Sequence, residues 1–128
     1  MYATSILQLN AGIDAILGKQ QPSWTHRTHP LWTLTPLGFR VRCSVGYWER
    51  IVSIKHPAMR GRLDDVRLAL TQPDEVRRSV RDPDVLLFHR EVAPRWVCGV
   101  VKKDGELGYL ITAYPADTIK RGDVIWTK

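Results

Sequence analysis

Apolar side chains change their spacing several times along this 128-residue chain, and each change marks an expected element. Over the first twenty residues Ile6, Leu9, Ile13 and Ile16 recur at steps of three and four. Ser5 stands where a helix is capped and Gly18 where one ends, so the pattern predicts an amphipathic helix of about three turns. The stretch KQQPSWTHRTHPLWTLTPLG that follows has no period. Pro22, Pro30 and Pro36 interrupt it, while Trp24 and Trp32 predict a segment wrapped on the surface with its indoles tucked down. From Phe39 the period is two: Phe39, Val41, Cys43 and Val45 point one way, Arg40, Arg42 and Ser44 the other, as in a half-buried antiparallel strand. After Gly46, YWERIVSI reads as a second extended run able to pair with the first.

The spacing then returns to three and four. Met59, Leu63, Val66 and Leu70 form one stripe with Arg60, Arg62, Asp64, Asp65 and Arg67 mostly off it, which predicts a central helix closed by the TQPD sequence, since Pro73 disfavours helix at the residue before it. Strands follow at 75–80, 85–90 and 96–103. Asp104-Gly105 is a two-residue hairpin signal, and pairing across it sets Val97 opposite Thr112 and Gly99 opposite Leu110. PADTIKRGDVIWTK ends the chain as a turn or short helix and a closing strand with Trp126. The expected architecture is α+β: the N-terminal helix and the central helix packed on a curved antiparallel sheet of about four to six strands. Residues 1–36 are expected as helix and Pro/Trp-rich wrap, and residues 37–128 as the α+β body of one compact domain.

Charge shifts this picture toward polyanions. There are 19 Lys and Arg against 13 Asp and Glu, a formal net charge of +6, which favours nucleic acid as a partner without constraining the fold. The only cysteines, Cys43 and Cys98, each sit in an apolar run and lack Cys-x-x-Cys spacing, so neither a disulfide framework nor a zinc site is implied. The N-terminus lacks the layout of a signal peptide, and no apolar run approaches the length of a membrane span. A cytoplasmic protein with no membrane association is expected. Phosphate-binding loops, dinucleotide fingerprints, metalloprotease helices and nucleophile elbows are all missing from the sequence, so no metal or cofactor is expected.

The remaining inventory suits RNA cleavage, in which the substrate supplies its own nucleophile, the 2′-hydroxyl. The protein then needs a base, an acid and cations for the developing phosphorane charge. His56, in KHP before the central helix, is the best placed base or acid; a histidine bonding to a helix or strand end is an equal reading. The stretch VRRSVRDPDVLLFHR concentrates Arg77, Arg78, Arg81, His89 and Arg90 around an apolar run. In it Val76 and Val80 are expected to face the core and Arg77 and Ser79 an open face, with phosphate held by the arginine forks. VLLFHR is apolar on both faces at its centre and basic at its far end, as in a strand buried mid-sheet whose C-terminal end emerges in a cleft. Gly99, Gly108, Thr112 and Tyr114 are expected on one face of small side chains, either a ligand surface or the seat of a packed helix. Thr112, Tyr114 and Lys120 add a hydroxyl, a phenol able to stack on a base and an ammonium.

The order KHPAM, PDEVRRS, DPDVLLFHR and LITAYPADTIK, spread over residues 55–122, resembles small phage- and bacteria-associated domains of the barnase, EndoU, colicin and RelE (BECR) ribonuclease superfamily. The resemblance covers about half of the chain and has no counterpart for residues 1–36. It implies a helical N-terminal part against an antiparallel sheet, and a metal-independent endoribonuclease, often a toxin or effector, leaving 2′,3′-cyclic phosphate ends. The matching positions imply a catalytic set of His56, Arg77, Arg78, Ser79, Arg90 and Thr112, with Lys55, Arg81, His89, Tyr114 and Lys120 contacting RNA. Position 89 is more often aromatic in such domains, which ranks His56 ahead of His89. Two other readings stay open: a non-catalytic module binding RNA or DNA through the same basic face, and a protein-interaction domain in a toxin–antitoxin or phage assembly, its partner an antitoxin or another acidic protein.

Overall fold

Residues 30–128 are described by the computed structural model, so the helix expected in the first twenty residues, and Trp24, lie outside the described residues. Leu31–Leu34 (β1) and Arg40–Cys43 (β2) form a hairpin with Leu31 opposite Cys43 and Leu34 opposite Arg40. Pro30 and Pro36 had marked this stretch as irregular, yet both fall outside the ladder, where a missing N–H costs no strand hydrogen bond. The reversal between the strands is tied by the Gly38 N–H to Thr35 O (3.0 Å) and the Thr35 N–H to Phe39 O (2.9 Å), with Gly38 in the left-handed region at φ 93°.

YWERIVSI is helical, not extended. Val45–Arg50 (α1) starts at Ser44, whose Oγ accepts the Tyr47 N–H (3.1 Å), and Trp48, Ile51 and Val52 bury one face at steps of three and four. The aromatic and β-branched residue types suggested a strand, but the cap and the spacing decide the outcome. The coil then widens over Ile51–Lys55, a π-helical turn in which the His56 N–H reaches Ile51 O (2.8 Å). The Met59–Leu70 stripe is likewise cut in two. Met59 belongs to a short 3-10 turn, Pro57–Met59; Gly61, at φ 77°, interrupts the path; and Leu63–Thr71 (α2) follows with Asp64 and Asp65 in its first turn, where carboxylates suit the helix dipole. Every apolar member of the stripe still reaches the core.

The remaining strands are Glu75–Ser79 (β3), Val85–Val92 (β4), Arg95–Asp104 (β5), Leu107–Ala116 (β6) and Gly122–Thr127 (β7). They join the hairpin in one seven-stranded sheet of order β1-β2-β6-β5-β4-β3-β7. The architecture is α+β as expected, but the sheet has more strands and is mixed, because β2 runs parallel to β6. The helices cover a single face, on which Val41, Val76, Leu86, Phe88, Val97, Val101, Leu110 and Ala113 meet Trp48, Ile51, Met59, Val66 and Leu70. Phe39 and Phe88 meet edge to face at 6.4 Å between centroids. A Cβ on Gly99 would lie 3.3 Å from Leu70 Cδ2, and one on Gly108 would lie 2.8 Å from Phe39 Cε1, so these glycines seat packed side chains under the helices. They do not share a face with Thr112 and Tyr114.

That separation comes from the β5–β6 register. The turn is Gly105-Glu106, not Asp104-Gly105: Asp104 pairs with Leu107, and Gly105 takes φ 65° at the first central position. Between Val101–Leu110 and Val100–Thr112 the ladder gains one residue on β6, Ile111, a β-bulge. Val97 therefore faces Pro115, and Gly99 faces Ala113. Leu110 and Ala113 both stay on the core side, while Thr112 and Tyr114 turn to the opposite face.

The segment 117–121 must carry the chain from β6 past β5, β4 and β3 to β7. It crosses the face away from the helices, where the Lys120 N–H meets His89 Nε2 (3.4 Å).

Candidate active site

Strand β2 accompanies β6 only as far as Tyr109, so beyond that point β6 has no strand on its outer side. The chain from α1 through the π-helical turn fills the gap. The Tyr47 hydroxyl donates to the carbonyl of the bulged Ile111 (2.7 Å), and Lys55 Nζ donates to the same carbonyl (3.1 Å) and to Tyr47 Oη (2.9 Å). A carbonyl displaced from the ladder by the bulge thus acquires two donors. Fixing Lys55 in this way places His56, half-buried, against the Tyr114 ring with centroids 5.4 Å apart and planes tilted by 41°.

From Tyr114 a single row crosses the sheet through Cys98 and His89 to Glu75. The Tyr114 hydroxyl meets the Cys98 thiol but forms no well-made hydrogen bond, and burial raises the phenol far above its ordinary range. Thr112 Oγ1, one row along, is also buried without a partner. Burial pushes the Cys98 thiol up to about 12, which makes it unreactive as a thiolate.

His89 is fully buried. Its Nε2 accepts the Lys120 N–H (3.4 Å), which leaves the ring proton on Nδ1, a buried atom without a partner. Burial, then the Arg77 charge, lower its pKa to about 4 against the opposing pull of Glu75. At neutral pH His89 is an uncharged support for the crossing segment. Arg77 serves the same segment, its Nε on the Glu75 carboxylate and its Nη1 on Lys120 O (3.3 Å).

The structure brings Lys55, His56, Thr112 and Tyr114 together, with His89, Lys120 and Arg77 continuing across the face. It takes the other expected residues elsewhere. Ser79 Oγ accepts the Arg81 N–H (3.1 Å) and Arg78 Nε donates to Pro83 O (3.2 Å), both at the β3–β4 turn. That turn is roughly 13 Å along β3 from the Glu75 row. Arg81 is exposed there, and Val80, expected in the core, is 70% exposed because β3 has already ended. Arg90 projects to the helix side and donates through Nη1 to Gln72 O (2.7 Å), closing the C-terminus of α2. Tyr47 and Cys98 belong to the site although sequence reasoning did not single them out. The Trp48, Ile51, Val52 spacing was the signal that would have made Tyr47 helical.

Among the described residues no three His, Cys, Asp or Glu side chains converge as metal ligands, and no helix is long and apolar enough to cross a membrane. No protein-family model matches the chain, and neither a curated protein nor a solved structure matches it.

Proposed function

We propose that the chain is a metal-independent endoribonuclease of the BECR kind, working at the bulged margin of β6. The observation that carries this reading is the packing of His56 on Tyr114, beside the ammonium of Lys55 and two buried hydroxyls that no protein group satisfies. His56 takes the proton of the 2′-hydroxyl as its oxygen attacks phosphorus, and the imidazolium so formed returns a proton to the departing 5′-oxygen. The products are a 2′,3′-cyclic phosphate and a 5′-hydroxyl. Lys55 keeps one of its three N–H donors for a non-bridging oxygen, and Lys120 adds a second cation from the crossing segment. Tyr114 holds the His56 ring in place and, with its raised pKa, keeps its proton throughout.

Labelled RNA incubated with the protein in excess EDTA tests the reading. Cleavage leaving 2′,3′-cyclic phosphate ends is expected, with a loss of about 100-fold or more in His56→Ala, as for removal of a general base. Salt-dependent binding without cleavage would instead make the protein a nucleic-acid-binding module.

A further inference from the structure

The crossing segment 117–121 is gripped by its backbone at Lys120. The Lys120 N–H donates to His89 Nε2 (3.4 Å), and the Lys120 carbonyl accepts from Arg77 Nη1 (3.3 Å). His89 is fully buried, and Arg77 is fixed in turn by Glu75, which pairs with His89 across β3 and β4. The side chain of Lys120 is left out of this grip. The residue is exposed, and among the described residues its ammonium makes no hydrogen bond or ion pair. Asp117 on the same segment is held by Arg95 (2.8 Å) and Glu75 by Arg77, so neither carboxylate answers it. The Lys120 charge acts on the Cys98 thiol, and Cys98 pairs with Tyr114, whose ring packs on His56. A cation with a fixed root and an uncommitted charge thus stands across β5 from the margin where Lys55 and His56 lie.

We infer that Arg77 is a positioning residue for nucleic-acid binding: by holding the Lys120 peptide it aims the Lys120 ammonium at a backbone phosphate, and it does not touch the phosphate itself. A lysine head sits on a long flexible stem, so on an unanchored loop its charge would spread over a wide volume. Fixing the peptide at both of its polar groups narrows that volume before the ligand arrives. Arginine suits the role because one planar fork can serve a carboxylate and a carbonyl together, as Arg77 does with Glu75 and Lys120 O. The Arg77 charge is met by Glu75, which leaves Lys120 as the cation with charge to give. The occupant follows from what lies between the two ammonium groups. Lys55 and Lys120 flank the half-buried rings of His56 and Tyr114, and a single nucleic-acid strand supplies phosphates for the cations and bases for the rings, whereas an acidic peptide would leave the rings unmatched. The inference deepens the ribonuclease reading and rests on it for one point only, that the phosphate belongs to the strand cleaved at His56.

Single-stranded DNA lacks the 2′-hydroxyl, so its binding can be read apart from cleavage. Anisotropy of a labelled oligothymidine, titrated at several salt concentrations with each variant shown to be folded, gives a double-mutant cycle. Lys120→Met is expected to weaken binding by about threefold or more and to reduce the log–log salt slope by about 0.7, the share of one phosphate contact on a single strand. Arg77→Met should weaken binding by a similar factor although it leaves Lys120 charged, and it should add nothing in the Lys120→Met background. Losses that multiply in the double variant would make Arg77 a direct contact or a general support and overturn the inference. So would an unchanged affinity in either single variant, no binding by the wild type, or displacement by polyglutamate as readily as by unlabelled oligothymidine. A protein that binds with this coupling and leaves RNA intact would keep the positioning role and remove the ribonuclease reading alone; one that cleaves RNA without the coupling would do the reverse.

Discussion

The two halves of the sheet carry cations to opposite ends. In the β4–β3–β7 half the guanidinium groups of Arg77, Arg78 and Arg90 each finish on a backbone carbonyl: Lys120 on the crossing segment, Pro83 in a turn, Gln72 at the end of a helix. Each of these carbonyls lies where the chain leaves regular structure and its acceptor has no partner in a ladder or helix. In the β1–β2–β6 half, Arg42 stands between Trp32 and Tyr109 in the ladder and is half-buried. A basic cluster around a core strand is therefore a set of backbone clamps.

The two histidines among the described residues also divide. His89 is sealed under the crossing segment and uncharged, and His56 stands at the margin against Tyr114. If the closed half is a structural unit, its failure should dominate stability. The largest effect is expected from acid. His89 titrates near 4 in the folded protein and near the ordinary 6.5 when unfolded. Its contribution is complete above pH 6.5 and is lost as the pH falls toward 4, because only the unfolded chain gains the proton in that interval. The loss is on the order of 3 kcal/mol across this window. Glu75, Arg77, Cys98 and Lys120 surround the ring; the urea midpoint of His89→Gln is expected to vary much less between pH 6.5 and 4. An equally steep profile in that variant would detach the acid sensitivity from His89.

A smaller loss, about 2 kcal/mol, is expected from Gly122→Ala, since the new Cβ would overlap the Arg78 carbonyl oxygen where β7 joins β3. Urea unfolding of Gly46→Ala, whose Cβ meets nothing, is the matched control. Smaller again is Arg77→Met, which keeps the aliphatic stem but leaves Glu75 and Lys120 O without their donor; about 1 kcal/mol and faster hydrogen exchange at the Lys120 amide are expected. Arg78→Met, at an exposed turn, should change the midpoint by about 0.5 kcal/mol or less. Equal effects from the two arginines would erase the distinction between a half-buried clamp and an exposed one.

Periodicity made the closed half largely legible. Alternation in VLLFHR located a strand buried in the sheet, and the Pro73 and Asp104-Gly105 signals fell within a residue or two of the helix end and the hairpin turn. What escaped were features decided by one residue or by distant parts of the chain. The Ile111 bulge reverses the face of every later residue on β6, and nothing local in LITAYP announces it. The helix over Val45–Arg50 was hidden by strand-like residue types. The parallel pairing of β2 with β6 depends on two segments more than sixty residues apart, so the row of Trp32, Arg42 and Tyr109 could not be assembled from alternation in either one. His56 and Tyr114 were both singled out by their chemistry, but their contact depends on the bulge and on the helix together.

The central claim is that chemistry belongs to the open margin and that the closed half supports it. Single-turnover cleavage of RNA in EDTA by wild type, His56→Ala and His89→Gln, at pH 7 where each variant is shown to be folded, tests this directly. The account predicts a loss of about 100-fold or more for His56→Ala and a rate within a few-fold of wild type for His89→Gln. Loss of cleavage in His89→Gln with retention in His56→Ala would move the chemistry to the closed half and contradict it.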